Sequence, residues 1–256
     1  MTAILYHNTM QTTRDSRILV LSKAVQVLKA CHQLGGGLSL GDIARQLDLP
    51  RSTVQRIVQT LTAEGFLSTG GNARSISLGP DILAMGALAT AGMVERSYPV
   101  LKRLAERTGE TVDLAWLNRD HLVFVSQVPG VHRLQAVSAV GDTFPLHCTA
   151  NGKAALALLP DDTVNAFLHR KLPALTRNTL TTASALKKEI AKIRAAGIAY
   201  DREEHTVGIS AIGMAMQDKA RQIYAVSVPV PTVRFTQRLA ANEAAMRETM
   251  QMLAGV

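Results

Sequence analysis

The first third of the chain most constrains the fold, because three helical patterns are followed directly by a hairpin pattern. Ser22 suits a helix N-cap, and apolar residues follow it at helical spacing until three glycines at 35–37 end the pattern. Ser39 suits a second N-cap, with Asp42 in the position of a capping-box acid. These patterns predict a small helical domain closed by two short strands.

The third helical pattern covers residues 50–64, from Pro50 to the residue before Gly65. One face is apolar and consists of Val54, Ile57, Val58 and Leu61. The other face is polar and consists of Arg51, Ser52, Thr53, Gln55, Arg56 and Gln59. Arginine and glutamine pair with guanine and adenine edges, and serine and threonine contact phosphates or thymine methyl groups. This face has no acid before Glu64, and an acid there would repel phosphate. A major-groove reader and an ordinary amphipathic surface helix both explain this stretch taken alone, and the neighbouring elements decide between them.

A β-hairpin is predicted next, because Phe66–Ser68 and Ser75–Leu78 alternate apolar and polar residues around a Gly-Gly-Asn turn. Arg74 at its tip either reaches the neighbouring phosphates or minor groove, or is a solvated turn residue. Helix, turn, helix and hairpin together predict a winged helix-turn-helix DNA-binding domain over residues 17–80. The polar residues 1–16 before it are expected to form a mobile arm.

Composition agrees with a DNA-binding protein without requiring one. The net charge is +8, from 28 basic and 20 acidic residues, which favours an anionic partner, either nucleic acid or a membrane surface. Cys31 and Cys148 are far apart, so no disulfide framework, zinc motif or redox motif is expected. We expect no metal and no cofactor. The sequence has no signal-peptide pattern and no apolar run of about 20 residues, so we expect a cytoplasmic protein with no membrane contact.

The second half of the chain predicts a different architecture. Residues 81–98 form a connector helix rich in small residues, which suits either a dimer contact or contacts within the same chain. Residues 99–256 alternate between strand and helix patterns. The strands are expected at Thr111–Leu117, Leu122–Val128, Leu134–Val140, Ile198–Tyr200, Ile209–Met216 and Ile223–Val228. The pattern indicates an α+β domain on a mostly antiparallel sheet.

A candidate anion site lies at the start of a helix in this domain. Thr149 can cap the helix, and the first-turn N–H groups belong to Ala150, Asn151 and Gly152. A structural cap with no ligand explains the same residues. Arg133 and Leu134, where the next strand is predicted to begin, are further candidate effector contacts, and Arg133 either pairs with a ligand carboxylate or is a surface arginine.

An enzyme is the alternative suggested by His147 beside Cys148. Adjacent residues on an extended chain point to opposite faces, so they form a nucleophile–base pair poorly. The other histidines have no metal-ligand spacing. Residues 203–205 are predicted to form a solvated turn, with the alternative that Glu204 helps to shape the edge of the pocket. We therefore predict no catalytic residues. A protein-interaction scaffold is the third class, and it would lack salt-dependent DNA affinity.

Three separated motifs resemble the IclR family of bacterial regulators. They are Ser52–Ile57 with Glu64–Phe66, Pro145–Ala154, and Gly197–Glu204 followed by Gly208-Ile209, and the resemblance covers about residues 17–250. It implies a winged helix-turn-helix joined to a GAF-like α+β effector domain. It also implies a dimer, or a dimer of dimers, on a palindromic double-stranded DNA operator, controlled by a small aromatic or aliphatic carboxylate. Such a regulator would be associated with the nucleoid when bound to DNA.

The resemblance also implies the effector contacts. They are Ala150, Asn151, Asp201 and Ser227. A ligand-contacting cysteine of some members falls at Ala211 here, and a second strand serine falls at Pro229. These two departures predict a different or more apolar ligand.

Overall fold

A computed structural model of the chain describes residues 18–70, 75–136 and 138–255. The predicted arm at residues 1–16 lies outside these ranges and stays a prediction. In the described ranges, no helix is both long and apolar enough to cross a membrane.

The chain forms two compact units, which divide in sequence between Ala89 and Thr90. The division falls inside one continuous helix, α4 (Pro80–Thr108), and inside the span 81–98 assigned to the connector. Pro99 lies within this helix, so the helix continues ten residues beyond residue 98, the predicted end of the connector.

The described residues of the first unit form three helices and a two-stranded hairpin. They are α1 (Leu19–Gln33), α2 (Leu40–Leu47), α3 (Arg51–Ala63), β1 (Leu67–Thr69) and β2 (Ile76–Leu78). The core contains Val27, Ile43, Val54, Ile57, Leu67 and Ile76. The backbone of Leu38 also bridges to Ile76, which ties the segment before α2 to the hairpin. The predicted order of elements is confirmed.

The two predicted N-caps of this unit have different outcomes. Ser39 caps α2 as predicted, and Asp42 completes a reciprocal capping box with it. The prediction that Ser22 caps α1 is wrong, because the helix begins at Leu19 and Ile18 is its N-cap. The backbone N–H of Ser22 donates to the carbonyl of Ile18 over 3.2 Å, so Ser22 already belongs to the first turn.

In the described part of the second unit, six antiparallel strands form one sheet in the order β5-β4-β3-β8-β7-β6. The strands are β3 (Val112–Asn118), β4 (His121–Val128), β5 (Thr143–Pro145), β6 (Ala199–Arg202), β7 (Ile209–Gln217) and β8 (Ile223–Pro231). The helices are α5 (Ala150–Leu158), α6 (Asp161–Leu168), α7 (Ala183–Ala196) and α8 (Thr232–Ala254). Helix α8 and the end of α4 pack on one face, and α5, α6 and α7 pack on the other.

The predicted strand at Leu134–Val140 is wrong. The described residues of this segment form no strand, and Leu134 and Val140 are each 64% exposed. The outer edge of β4 pairs instead with Thr143–Pro145, and Phe124 exchanges backbone hydrogen bonds with Gly141 and Asp142. Because that edge is already used, the alternating segment before it has no partner strand.

Candidate nucleic-acid interface and ligand cavity

A tight turn sets the direction of α3. Asp48 ends α2 in the left-handed conformation, with φ of 51°. The N–H of Leu49 donates to the carbonyl of Ala44 over 3.0 Å, and Pro50 is the N-cap of α3. At the other end Gly65 has φ of +76°, which a residue with a side chain rarely adopts. Both ends of the helix are therefore fixed by local backbone geometry.

Helix α3 separates its apolar and polar side chains as predicted. Val54, Ile57 and Val58 are buried in the core of the first unit. The side chains of Arg51, Ser52, Gln55, Arg56 and Gln59 are exposed, and Thr53 is half-buried. Among the described residues, no acidic side chain pairs with either arginine. The basic face is therefore open to an anionic partner such as DNA.

The hairpin beside α3 forms the wing. Leu67 pairs with Leu78 and Thr69 pairs with Ile76, so the strands are in full register. Residues 71–74 at the tip lie outside the described residues, so the role of Arg74 stays a prediction.

In the second unit, four neighbouring strands provide the floor of a cavity. Asp113 on β3 pairs with Ser227 on β8, which pairs with Gly213 on β7. Asp201 on β6 pairs with Ala211 on β7, two residues away from Gly213. Directly opposed residues of antiparallel strands share a face, as do residues two apart, so these side chains all project from one face of the sheet.

The start of α5 lies over this floor. A Cβ added at Gly213 would come within 2.6 Å of the backbone of Ala150 and Asn151, so the close approach requires glycine there. Thr149 caps the helix by accepting the N–H of Gly152 over 3.1 Å. Asn151 is only 3% exposed, and its Nδ2 has no hydrogen-bond partner among the described residues. An unpartnered buried donor at a helix start points to a missing acceptor.

Aromatic rings close another side of the cavity. Phe124 and Phe144 meet edge to face, with centroids 4.7 Å apart, and Phe144 lies 4.6 Å from the ring of His205. The cavity has a volume of about 200 Å³. Pockets for drug-sized ligands span roughly 300–1,000 Å³, so this one suits a small molecule.

Five of the seven predicted effector contacts line this cavity. They are Ala150, Asn151, Asp201, Ala211 and Ser227. Arg133 and Leu134 are exposed and lie outside the lining, and the carbonyl of Leu134 accepts a hydrogen bond from Arg234. Their contact with a ligand stays a prediction.

The two acids of the floor have unusual titration behaviour. Burial raises the pKa of Asp113 to about 7, although a hydrogen bond from Gln127 favours its charged form. Burial raises the pKa of Asp201 to about 7 as well, with a smaller contribution from the nearby Glu204. Each carboxyl therefore changes between neutral and charged near neutral pH.

Two protein-family profiles match the chain. Residues 20–71 match the IclR helix-turn-helix domain, and residues 85–254 match the description "Bacterial transcriptional regulator IclR C-terminal". The chain belongs to the IclR family of bacterial transcriptional regulators. It is therefore a DNA-binding regulator of transcription with a ligand-binding C-terminal domain, as the three motifs indicate.

Relatives and solved structures agree with this assignment. An HTH-type transcriptional regulator of Mycobacterium tuberculosis is 42% identical over 89% of this chain and 88% of its own length. The transcriptional repressor IclR of Escherichia coli is 31% identical over 84% and 81%. An IclR regulator from Silicibacter sp. TM1040 superposes with a TM-score of 0.83, at 29% identity over 91% of this chain and 94% of that one.

A fourth protein shares the fold alone. An IclR homologue from Microbacterium hydrocarbonoxydans, crystallised with 4-hydroxybenzoate, superposes with a TM-score of 0.81 at 21% identity. It covers 91% of this chain and 97% of the other.

The IclR-family relatives are named as regulators, and the pair that suggested an enzyme has an unreactive environment. Cys148 is fully buried, and its burial raises the pKa of the thiol, so the thiolate is disfavoured. The Nε2 atom of His147 is 2.9 Å from the carbonyl oxygen of Pro173. In the described part of the chain, no group of three acidic, histidine or cysteine side chains could hold a metal.

Sequence reasoning missed two polar features of the IclR-type domain. Asp113 is 1% exposed within a strand of buried residues, and that isolated carboxylate was the available signal. The prediction of a solvated turn at residues 203–205 is wrong for Glu204, which is 7% exposed and pairs with the fully buried Lys153. The hydroxyls of Thr176 and Thr179 also bond the Glu204 carbonyl, so the turn is anchored.

Proposed function

We propose that this IclR-family regulator binds a palindromic operator as a dimer or a dimer of dimers. We further propose that a small organic acid, aromatic or aliphatic, controls it from the cavity over β6, β7, β8 and β3. The unpartnered Nδ2 of the buried Asn151, at the start of α5, is the observation that carries the effector site.

The exposed face of α3 supports base reading. Arg51, Gln55 and Arg56 are exposed on it without a described acidic partner, so their donors can reach base edges. A dimer presents two such helices, and half-sites about one helical turn apart, or a multiple, would engage both. The small-residue stretch at 81–98 is the proposed dimer contact.

Selection of bound fragments from random DNA tests the operator. The full-length chain should enrich two inverted half-sites, and affinity should fall steeply as salt rises because phosphate contacts release counterions. Light scattering on the free protein and on the complex gives the number of chains. A single half-site or salt-independent binding would contradict the proposal.

The cavity supports an acid as effector. The backbone N–H groups of Ala150 and Asn151 in the first turn of α5, the Asn151 amide and the helix dipole all favour an oxygen anion. The Phe144 and His205 rings offer a stacking surface for an aromatic acid. The IclR homologue crystallised with 4-hydroxybenzoate supports only the fold. The proposal of an acid effector therefore rests on the groups that line this cavity.

Effector control is a linkage between two sites. An acid that binds one arrangement of the effector domains more tightly shifts the population toward it and changes the spacing of the two recognition helices. Thermal-shift measurements with small carboxylates identify a binder. Asn151→Leu should abolish the stabilising effect of that carboxylate. Asn178 is an exposed asparagine of the same unit, and Asn178→Leu should retain the effect.

A further inference from the structure

The two carboxyls of the cavity oppose the binding of an acid effector, although the start of α5 favours it. Its lining contains two carboxyls, Asp113 and Asp201, and no lysine or arginine among the described residues. Two ionised aspartates would repel a ligand carboxylate in a site of low dielectric. An acid can therefore bind tightly only if this repulsion is removed.

In each aspartate, one carboxyl oxygen accepts a hydrogen bond from an N–H group and the other has no hydrogen-bond donor among the described residues. The Oδ1 atom of Asp113 accepts from Gln127 Nε2 over 2.7 Å. The Oδ1 atom of Asp201 accepts the backbone N–H of Glu204 over 2.6 Å, and more weakly that of His205. The described residues give neither Oδ2 atom a hydrogen-bond donor. When protonated, each Oδ2 can donate to a ligand oxygen while Oδ1 keeps its present contact.

The surrounding charges do not hold either aspartate ionised. Asp113 faces the uncharged Gln127 of β4 and Ser227 of β8. Across the cavity is His205, whose pKa burial lowers, so it is neutral at pH 7. No charged group contributes to the shift of Asp113.

The groups around Asp201 oppose one another. Lys153 of α5 would favour its charged form, but that lysine is already paired with Glu204, and Glu189 of α7 lies 3.9 Å from the same Nζ. Cys148 is a neutral thiol because burial raises its pKa.

The two aspartates are too far apart to share a proton. Asp113 lies on β3 and Asp201 on β6, with β8 and β7 between them. Neighbouring strands are about 4.8 Å apart, which separates their backbones by roughly 14 Å. Each carboxyl therefore titrates separately, unlike a catalytic dyad.

We propose that the effector acid binds in the cavity together with protons from solvent, and that Asp113 and Asp201, on the two outer strands of the floor, are neutral hydrogen-bond donors that each bind a different oxygen of the ligand. This inference rests on the proposed function, since it assumes an acid effector in this cavity. It makes the regulator respond to pH as well as to the acid, because binding is favoured where the aspartates are already protonated. A pKa of about 7 in the free protein means that this protonation requires little free energy near neutral pH.

Calorimetry on the full-length chain tests the proton uptake. Benzoate, 4-hydroxybenzoate and pyruvate are the probes, with benzamide as the uncharged match of benzoate. Each acid is ionised throughout the range from about pH 6 to about pH 8.5. Above pH 7 the affinity of a bound acid should fall roughly tenfold per pH unit for each proton taken up. Buffers with different ionisation enthalpies should give different apparent heats, whereas any benzamide binding should be independent of pH.

Variants assign the protons to residues. Asp113→Asn and Asp201→Asn each keep an oxygen acceptor and lose the titrating group, so each should remove one linked proton and flatten the pH dependence. Asp218→Asn is the matched control, because Asp218 lies in the β7–β8 turn away from the lining. It should keep the wild-type dependence.

The outcomes separate this inference from the proposed function. If an acid binds with equal affinity across the pH range and with the same heat in every buffer, the proposed proton uptake is wrong. The proposal of an acid effector is then still supported. If pyruvate and both aromatic acids neither bind nor stabilise the protein at either end of the pH range, that result counts against an acid effector. The inference would then fail together with the proposed function. Tighter binding at high pH would also overturn the inference, because the aspartates would then act as acceptors.

Discussion

The recognition helix and the ligand cavity treat polar side chains in opposite ways. On α3 the arginines and glutamines are exposed and have no described acidic partner, ready for an external surface. In the cavity Asp113, Asn151 and Asp201 are at least 95% buried, and their surroundings decide their charge and hydrogen bonding. Substitutions on α3 should therefore change DNA binding with little change in stability. Substitutions around the cavity should change both ligand binding and stability.

The largest expected effect is at the buried ion pair beside the cavity. Lys153→Met leaves Glu204 buried without its partner, which should lower the free energy of unfolding by about 3–5 kcal/mol. Chemical denaturation of the full chain measures it. Lys102→Met breaks a pair whose side chains are 60% and 61% exposed and should change stability by under about 0.5 kcal/mol. If the two substitutions lower the free energy of unfolding equally, burial does not make the Lys153–Glu204 pair more important for stability than an exposed pair.

Asp113→Asn should stabilise the protein in a pH-dependent way. The pKa of Asp113 is raised from its usual value of 3.8 to about 7 in the folded state, so the wild type loses stability as pH rises from about 4 to about 7. The variant lacks this loss, so its advantage should grow through that window to about 2–4 kcal/mol and stay constant above it. Denaturation at several pH values checks this, and a constant difference between the two proteins would contradict it.

Gly213→Ala should disturb the contact between α5 and the floor of the cavity. The added Cβ would meet the backbone of α5 within 2.6 Å, which should lower the free energy of unfolding by about 1–3 kcal/mol. Gly41→Ala is the control, because a Cβ added at this position in α2 would make only an ordinary contact, 3.6 Å from the Oγ atom of Ser39. That variant should be neutral or stabilised by about 0.5–1 kcal/mol.

Arg56→Ala should have an effect of about 1–3 kcal/mol on operator binding if Arg56 contacts a guanine, and almost none on stability. Fluorescence anisotropy with the selected operator and with scrambled DNA measures the difference. Arg177→Ala removes the same charge from an exposed position in the second unit and should leave sequence preference unchanged. An equal loss on both DNAs would mark Arg56 as a phosphate contact instead.

What the sequence could predict depends on how local the determining interactions are. Helix α3 was predicted to within a residue at each end, because apolar periodicity, the proline at its start and the glycine after it all act within a few residues. The strand at Leu134–Val140 was predicted wrongly because alternation cannot say which segment takes the free edge of β4. The correct partner, Thr143–Pro145, is only three residues long.

The cavity shows the same limit. The five predicted effector residues that line it came from a resemblance and from the chemistry of one helix start, both of which can be recognised along the chain. Asp113 and the Lys153–Glu204 pair were missed because they depend on contacts across strands, and the paired residues are 51 positions apart. Burial, which sets the titration of these groups, is a property of the assembled sheet.

If the cavity controls the recognition helix, a bound acid must change the affinity for the operator, so operator affinity is to be measured with and without the acid. With the carboxylate that gives the largest thermal shift, the Kd for the selected operator should change by roughly 5–150-fold at saturation. Asn151→Leu should abolish the change while keeping operator binding without the acid. An operator affinity and occupancy pattern that saturating acid leaves unchanged would contradict the account.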